Sequence, residues 1–122
     1  MFRPTRFNPQ IGSAAESEAL AHLQEHGLRL IVRNFRRKTG EIDLIMHDQQ
    51  EVVFVEVKAR KQLAHGHPAE YVTAAKQRKI IRTAMLYLQK HPKLAEQPCR
   101  FDVLALLTAN PTTFHWIPNA FQ

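Results

Sequence analysis

Residues 40–58 read GEIDLIMHDQQEVVFVEVK, and this pattern predicts a β-hairpin. Apolar residues dominate both halves, many of them β-branched, and the polar run at 47–50 is typical of a tight turn. If the turn centres on residues 48–50, the numbers of paired residues sum to about 99. The stretch therefore predicts two antiparallel strands, one at 40–46 and one at 51–59.

The charged side chains of this hairpin are expected to share one face. The register sets Asp43 opposite Glu56. It also sets Glu41 opposite Lys58, and because side chains alternate along a strand, all four point to the same side. Nearer the turn, this face carries two apolar residues, Ile45 and Phe54. The other face is expected to carry Ile42, Leu44, Met46, Val53, Val55 and Val57.

Two carboxylates directly across a strand pair repel each other unless positive charge lies between them. A divalent cation supplies that charge, and Mg²⁺ binds one or two carboxylates while it keeps several waters. A lysine two residues along the strand, here Lys58, can then orient a water or neutralise a phosphate. The alternative is a solvated face on which Lys58 is shared between the acids, and the spacing alone leaves both open.

Polar side chains also interrupt the apolar stripes of two predicted helices. A helical pattern covers residues 12–26, and Glu16 falls on its apolar stripe. An acid at that position either caps the helix start or points inward at a cation. A second helix is predicted from residue 73 to about residue 91. Its inner stripe combines Gln77 with Ile81, Ala84, Met85 and Leu88. Together, Glu16 and Gln77 indicate a polar pocket between the helices and the sheet.

The remaining segments complete an α/β domain. Further strands are predicted at 28–37, 99–107 and 112–117, with a loop at 61–70 and a short end at 119–121. The order αβββαββ predicts a mixed sheet of about five strands flanked by helices, in a three-layer or a two-layer arrangement. Residues 1–10, which include Pro4 and Pro9, are expected to form a flexible arm before a single domain at 11–122.

Composition excludes several classes of protein. A chain of 122 residues with one cysteine and no apolar run of bilayer length is neither a disulfide scaffold nor a membrane span. Residues 1–6 lack the apolar segment of a secretory signal, so a soluble cytoplasmic protein without membrane contact is expected. The formal net charge of +6 is consistent with a polyanionic partner.

The basic residues concentrate in three clusters: Arg33, Arg36, Arg37 and Lys38; Lys58, Arg60 and Lys61; and Lys76, Arg78, Lys79 and Arg82. The first two clusters flank the hairpin, and the third lies on the second helix, on the half opposite its core stripe. A basic rim around an acidic centre would bind the phosphates of a nucleic acid. The alternative is an ordinary solvated surface.

Several other residues favour structural roles. His22 and His26 have a spacing that suits a shared metal, but the sequence offers no evident third ligand, so solvated histidines are favoured. Cys99 is expected to be a buried structural thiol. Phe114 and Trp116 are expected in the core or an interface, with stacking on an unpaired base as the alternative.

The strings GEIDLI at 40–45 and VFVEVK at 53–58 resemble the signature of the YraN-like family of uncharacterised bacterial proteins. That family resembles the restriction-endonuclease-like superfamily, whose PD-(D/E)xK motif also marks archaeal Holliday-junction resolvases. The resemblance extends over nearly the whole chain, from residue 12 to residue 121. It implies a restriction-endonuclease-like α/β fold.

The resemblance also implies roles for individual residues. Asp43 and Glu56 match the two metal-binding acids of the motif, and Lys58 matches its lysine. Glu16 matches the helix-one acid that completes some resolvase-type sites. Ile42 stands where the motif has its proline, a common relaxation in this superfamily. A Mg²⁺ or Mn²⁺ cofactor is therefore expected.

The implied function is metal-dependent hydrolysis of phosphodiester bonds in structured or branched nucleic acid, with DNA favoured over RNA. Glu41, Lys76 and Gln77 are expected at the edge of the pocket. A homodimer would follow by analogy with resolvases that cut two strands. The main alternative is a non-catalytic nucleic-acid-binding adaptor that keeps the nuclease fold. A third is a protein-interaction domain whose basic surface meets an acidic partner.

Overall fold

A computed structural model describes residues 9–61, 72–108 and 111–122, with side chains of the first helix defined from Ala14 onward. Its elements are α1 (Pro9–Glu25), β1 (Arg29–Arg37), β2 (Gly40–Asp48), β3 (Glu51–Arg60), α2 (Ala74–Gln89), α3 (Pro92–Ala95), β4 (Cys99–Leu107) and β5 (Thr113–Phe121). The five strands form one sheet in the order β1–β2–β3–β4–β5. Apart from the single turn of α3, the elements follow the predicted order, so the α/β fold with a five-stranded sheet is confirmed.

The sheet is mixed because β3 and β4 run parallel, whereas the other neighbouring strands are antiparallel. A parallel step needs a crossover connection, and α2 lies in it. On one face, α1 packs Ala19 and Leu23 against Leu44. On the other face, α2 packs Ile80 in a cluster with Phe54. Of the two predicted arrangements, the domain therefore has the three-layer one.

The β2–β3 hairpin has the predicted register. Its pairing runs from Asp48 opposite Glu51 at the turn to Leu44 opposite Val55. Gln49 has a φ of 58°, in the left-handed region that two-residue hairpin turns use. Between these pairs most side chains are buried, because helices cover both faces of the sheet.

The predicted orientation of Ile42 is wrong, because the alternation of side chains breaks beside it. Ile42 packs in the α2-side cluster, although Leu44 packs on the α1 side. On the neighbouring strand β1, Asn34 has a φ of 55°. Phe35, the next residue, pairs with Ile42 and packs in the same cluster. A left-handed residue interrupts the pleat of a strand, as in a β-bulge, so both side chains turn toward α2.

The buried stripe of α2 also differs from the predicted one. Ile80, Thr83 and Tyr87 are buried, whereas Met85, which was expected to face the core, is 40% exposed. The Thr83 hydroxyl donates a hydrogen bond to the Lys79 carbonyl at 2.8 Å. A polar residue whose hydroxyl is satisfied can occupy the buried stripe, and this shifts the stripe away from Met85.

The ends of two elements lie beyond their predicted limits. The first helix begins at Pro9 instead of residue 12, since proline is tolerated in a first helical turn. Residues 9–10 of the predicted arm are therefore helical, whereas residues 1–8 and nearly all of the predicted loop lie outside the described residues. The last strand continues to Phe121 because Asn119, with a φ of 52°, forms a bulge after Pro118. Among the described residues, no helix has the length and apolarity to cross a membrane.

Candidate functional site

Asp43 lies where the backbone pairing of β2 and β3 ends. The last paired residues are Leu44 and Val55, and beyond them the Val57 N–H donates to Asp43 Oδ2 at 2.8 Å. The carboxylate thus takes the place of the backbone acceptor that a continuous antiparallel ladder would offer. We call Asp43, Glu56 and Val57 the strand fork. The expected backbone pairing of Asp43 with Glu56 does not form there, and the hydrogen bond from the Val57 N–H to the Asp43 carboxylate replaces it.

Glu56 is a buried carboxylate that two lysines share. Its side chain is 4% exposed, Lys76 Nζ from α2 contacts Oε2, and Lys58 Nζ lies 3.4 Å from the same oxygen. Burial and the neighbouring Lys76 lower the pKa of Lys58. Burial also opposes the charge of Lys76, but the hydrogen bond and negative charge of Glu56 outweigh it and raise the pKa of Lys76. The charge of Glu56 is therefore compensated from two elements.

Asp43 is compensated more weakly, because Lys76 interacts with it less strongly than with Glu56. Burial, followed by the negative charge of Glu56, raises the pKa of Asp43 from 3.8 to about 8. The hydrogen bond from Val57 opposes this shift only in part. A carboxyl group that keeps its proton near neutral pH is short of neighbouring positive charge. A divalent cation beside it would favour the ionised form and lower the pKa again.

Acids from α1 and β2 converge at the same place. One oxygen atom each of Glu16, Glu41 and Asp43 lies within 4.8 Å of the others. The side chain of Glu16 is 12% exposed and points inward, which is the second of its two expected orientations. Its Oε1 lies 3.5 Å from Arg33 Nη2 and accepts no hydrogen bond from the described part of the chain. Burial outweighs these neighbours and raises the pKa of Glu16.

Two clefts meet at these carboxylates. The larger, of about 340 Å³, lies on the α2 side and is lined by Gly40, Glu41, Thr73, Lys79 and Ile80. The smaller, of about 250 Å³, lies between α1 and β3 and is lined by Ala15, Glu16, Val57, Lys58 and Ala59. Both clefts share Asp43, Glu56 and Lys76. The acidic centre is thus accessible to a ligand through two openings.

Of the two α2 residues expected at the pocket edge, one lies there. Lys76 lines both clefts, and its side chain, 42% exposed as expected for the solvated half of the helix, turns its ammonium group to Glu56. Gln77, expected in the pocket, donates from Nε2 to the Val72 carbonyl at 3.0 Å and lines neither cleft. Helical periodicity could not reveal the role of Lys76, since Glu56 is distant in sequence. The same holds for Arg33, the partner of Glu16.

The other predicted phosphate-binding residues have mixed surroundings. Lys79 lines the α2-side cleft, and Arg36 Nε lies 3.3 Å from Glu41 Oε2 at its edge. Arg37 stacks over a neighbouring aromatic ring at 4.3 Å, and Arg60 donates to a neighbouring carbonyl at 2.9 Å. The exposed side chains of this set also include Lys38, Lys61, Arg78 and Arg82. Binding of nucleic acid by these residues stays a prediction.

Residues away from the fork make structural contacts. His22 stacks on Phe114 with ring centroids 4.2 Å apart, so the prediction of a solvated side chain is wrong for His22. His26 is exposed and meets Trp116 edge-on at 5.7 Å. Phe114 and Trp116 pack against the α1-side cluster. Cys99 is half-buried, and burial raises the pKa of its thiol, which agrees with a structural role.

Comparison with known proteins identifies the family. The model of the uncharacterised protein family UPF0102 matches residues 15–106. A UPF0102 protein of Ectopseudomonas mendocina (strain ymp) is 47% identical over 112 residues, which cover 92% of this chain and 94% of the relative. One of Coxiella burnetii (strain RSA 493 / Nine Mile phase I) is 47% identical over 113 residues, which cover 93% and 92%. One of Xylella fastidiosa (strain M12) is 46% identical over 111 residues, 91% of each chain. The chain therefore belongs to the UPF0102 family, which confirms the YraN-like resemblance.

Proposed function

We propose that this protein is a Mg²⁺- or Mn²⁺-dependent nuclease that hydrolyses phosphodiester bonds in structured or branched nucleic acid, with DNA as the preferred substrate. The observation that carries the proposal is the strand fork. It brings the carboxylate of Asp43 beside the buried carboxylate of Glu56 where two clefts meet, and there burial and the negative charge of Glu56 raise the pKa of Asp43. The two acids and the nearby Lys58 also agree with the PD-(D/E)xK pattern that the sequence resembles.

The donor set at the fork suits a hard divalent cation. Mg²⁺ and Mn²⁺ prefer carboxylate oxygens and water as ligands. Asp43, Glu56 and Glu16 would hold the ion, and the Glu16 oxygen that accepts no hydrogen bond from the described residues fits this role. The bound ion would polarise the scissile phosphate and lower the pKa of a water.

Basic side chains would supply the remaining chemistry. Lys58 Nζ, 3.4 Å from Glu56 Oε2, lies where an ammonium group can orient the attacking water and donate to a phosphate oxygen. Lys79 and Arg36, beside the α2-side cleft, would bind flanking phosphates. In the reaction, the water oxygen bonds to phosphorus as the bond to the leaving oxygen breaks. The products are a phosphomonoester and an alcohol.

Titration calorimetry with Mn²⁺ tests the site without any assumption about the substrate. The wild type should bind Mn²⁺, and Asp43→Asn should lose most of that affinity because a central anionic ligand is removed. Glu25→Gln, a change of an exposed acid at the end of α1, is the matched control and should bind like the wild type. No binding at millimolar Mn²⁺, with and without DNA, would contradict a metal site.

Cleavage assays test the reaction, with labelled four-way junctions, flaps, duplexes and single-stranded RNA as substrates. The wild type should cut branched DNA when Mn²⁺ is present. Asp43→Asn should cut it on the order of a hundred- to a thousandfold more slowly. Its DNA affinity should be kept, since phosphate contacts come from basic side chains. Metal-independent binding without turnover of any substrate would favour the adaptor instead.

A further inference from the structure

We propose that Lys76 is a tethered cation that occupies the place of a second metal ion on Glu56, so that the strand fork takes one divalent ion per chain. This inference rests on the proposed metal-dependent nuclease function and specifies the composition of the same site. It gives Lys76 a role inside the centre, in place of the phosphate contact that the sequence pattern predicted.

Both lysines of the site contact the same oxygen of Glu56. Lys76 Nζ reaches Oε2 from α2, and Lys58 Nζ lies 3.4 Å from it on β3. A carboxylate oxygen offers about two lone-pair sites, so two ammonium groups occupy Oε2. A divalent ion that binds both Asp43 and Glu56 must therefore bind Glu56 through Oε1. An ion on Oε2 would have to displace a lysine. In two-metal nucleases a second metal ion supplies positive charge beside the carboxylates. Here the ammonium group of Lys76 supplies that charge to Glu56.

The other half of the site is compensated differently. Oxygen atoms of Glu16, Glu41 and Asp43 converge within 4.8 Å. Arg33 lies 3.5 Å from Glu16 and Arg36 lies 3.3 Å from Glu41, while Lys76 interacts with Asp43 less strongly than with Glu56. The centre is therefore divided into a half around Glu56 that lysines neutralise and an acid-rich half around Asp43. This division suits a single divalent ion on the Asp43 side.

Close packing between α2 and the start of β2 holds Lys76 over the fork. A Cβ atom at Gly40 would come within 3.2 Å of Thr83 Oγ1 and 3.3 Å of Lys79 Cβ, so glycine allows the helix to approach. The hydroxyl of Thr39 is hydrogen bonded to that of Thr83 at 2.7 Å. Because Lys76 lies one turn before Lys79 on the same helix, this contact also positions its ammonium group.

The test counts bound Mn²⁺ by titration calorimetry on Lys76→Met, with Lys90→Met, at the exposed C-terminal end of α2, as the matched control. The wild type and the control should bind one ion per chain. Lys76→Met should bind a second, because the position that Lys76 holds on Glu56 Oε2 becomes available while Lys58 keeps the other. In EDTA it should also have a lower Tm than the control, and Mn²⁺ should restore it. Lys76→Gln, which keeps a donor without the charge, gives the same test if the methionine variant does not fold.

The outcomes separate this inference from the proposed function. If the wild type binds one ion and cleaves DNA while folded Lys76→Met has the same stoichiometry and affinity, the inference alone is overturned. If the wild type binds no Mn²⁺ but Lys76→Met does, Lys76 occupies a cation position on Glu56, but the single-ion stoichiometry of the wild type and its metal-dependent cleavage are both contradicted. If neither protein binds Mn²⁺, both proposals fail.

Discussion

Two aspartates on inner strands of the sheet differ in how the surrounding residues compensate their negative charge. Asp102 on β4 is fully buried, and its carboxylate accepts hydrogen bonds from Arg100 Nε at 3.0 Å and Trp116 Nε1 at 2.9 Å. It also accepts the Asn119 N–H of the β5 bulge at 2.9 Å. Its charge and its acceptor oxygens are satisfied within the chain. Asp102 therefore ties β5 to β4, and this accounts for the bulge.

Asp43 on β2 has the opposite surroundings. It accepts a backbone N–H from Val57, but it faces the like charge of Glu56, and its pKa rises to about 8. A buried carboxylate that the chain satisfies by itself has a structural role. One whose pKa is raised by burial and by a neighbouring carboxylate marks a candidate functional site.

The largest loss of stability is expected at the satisfied aspartate. Asp102→Ala should lower the free energy of unfolding by about 3 to 5 kcal/mol, because it leaves Nε of Arg100 and the indole N–H of Trp116 without their acceptor. Asp48→Ala is the matched control, since Asp48 lies 3.2 Å from the same arginine but its side chain is 29% exposed. It should cost less than about 1 kcal/mol. Equal losses in urea unfolding would remove the distinction between the two aspartates.

In the metal-free protein, Asp43→Asn should instead raise the free energy of unfolding. Because the pKa of Asp43 is raised in the folded state, the folded protein holds this proton more tightly than the unfolded chain does. Its contribution to stability is present at low pH and is lost as the pH rises from about 4 to about 8. In EDTA the free energy of unfolding of the variant should therefore match that of the wild type near pH 4 and exceed it by about 5 kcal/mol at pH 8.

Urea unfolding in EDTA at several pH values measures this difference. If the difference in free energy of unfolding between the two proteins stays constant from pH 4 to pH 8, the raised pKa of Asp43 is contradicted. Addition of Mn²⁺ at pH 8 should reverse the order, because a ligand that binds only the folded wild type stabilises only the wild type.

A smaller effect is expected where α2 is held against the start of β2. Thr83→Val keeps the shape of the side chain but removes the hydrogen bonds to Lys79 and Thr39, which should cost about 1 to 2 kcal/mol. Thr113→Val, at the exposed start of β5, is the matched control and should leave the stability unchanged. If both variants unfold at the same urea concentration, the hydroxyl contacts do not hold α2.

Errors in the sequence-based prediction occur where distant parts of the chain meet. Ile42 turns to the α2 side because of a left-handed residue on a neighbouring strand, which alternation within β2 does not show. Met85 is exposed because the buried stripe of α2 includes Thr83, and the partners that satisfy Thr83 include Thr39 on another segment. Neither contact leaves a periodic signal in the sequence.

Residues 40–58 were sufficient to predict the hairpin and its register from the turn to Leu44 and Val55, whereas the roles of Asp43 and Glu56 as metal ligands stay a prediction. Side-chain alternation and turn length act between neighbouring residues, so a linear sequence contains that information. Which cation reaches which acid was not predictable, because Lys76 meets Glu56, and Arg33 meets Glu16, only after both helices pack on the sheet. Charge compensation depends on distances in space, and packing sets those distances.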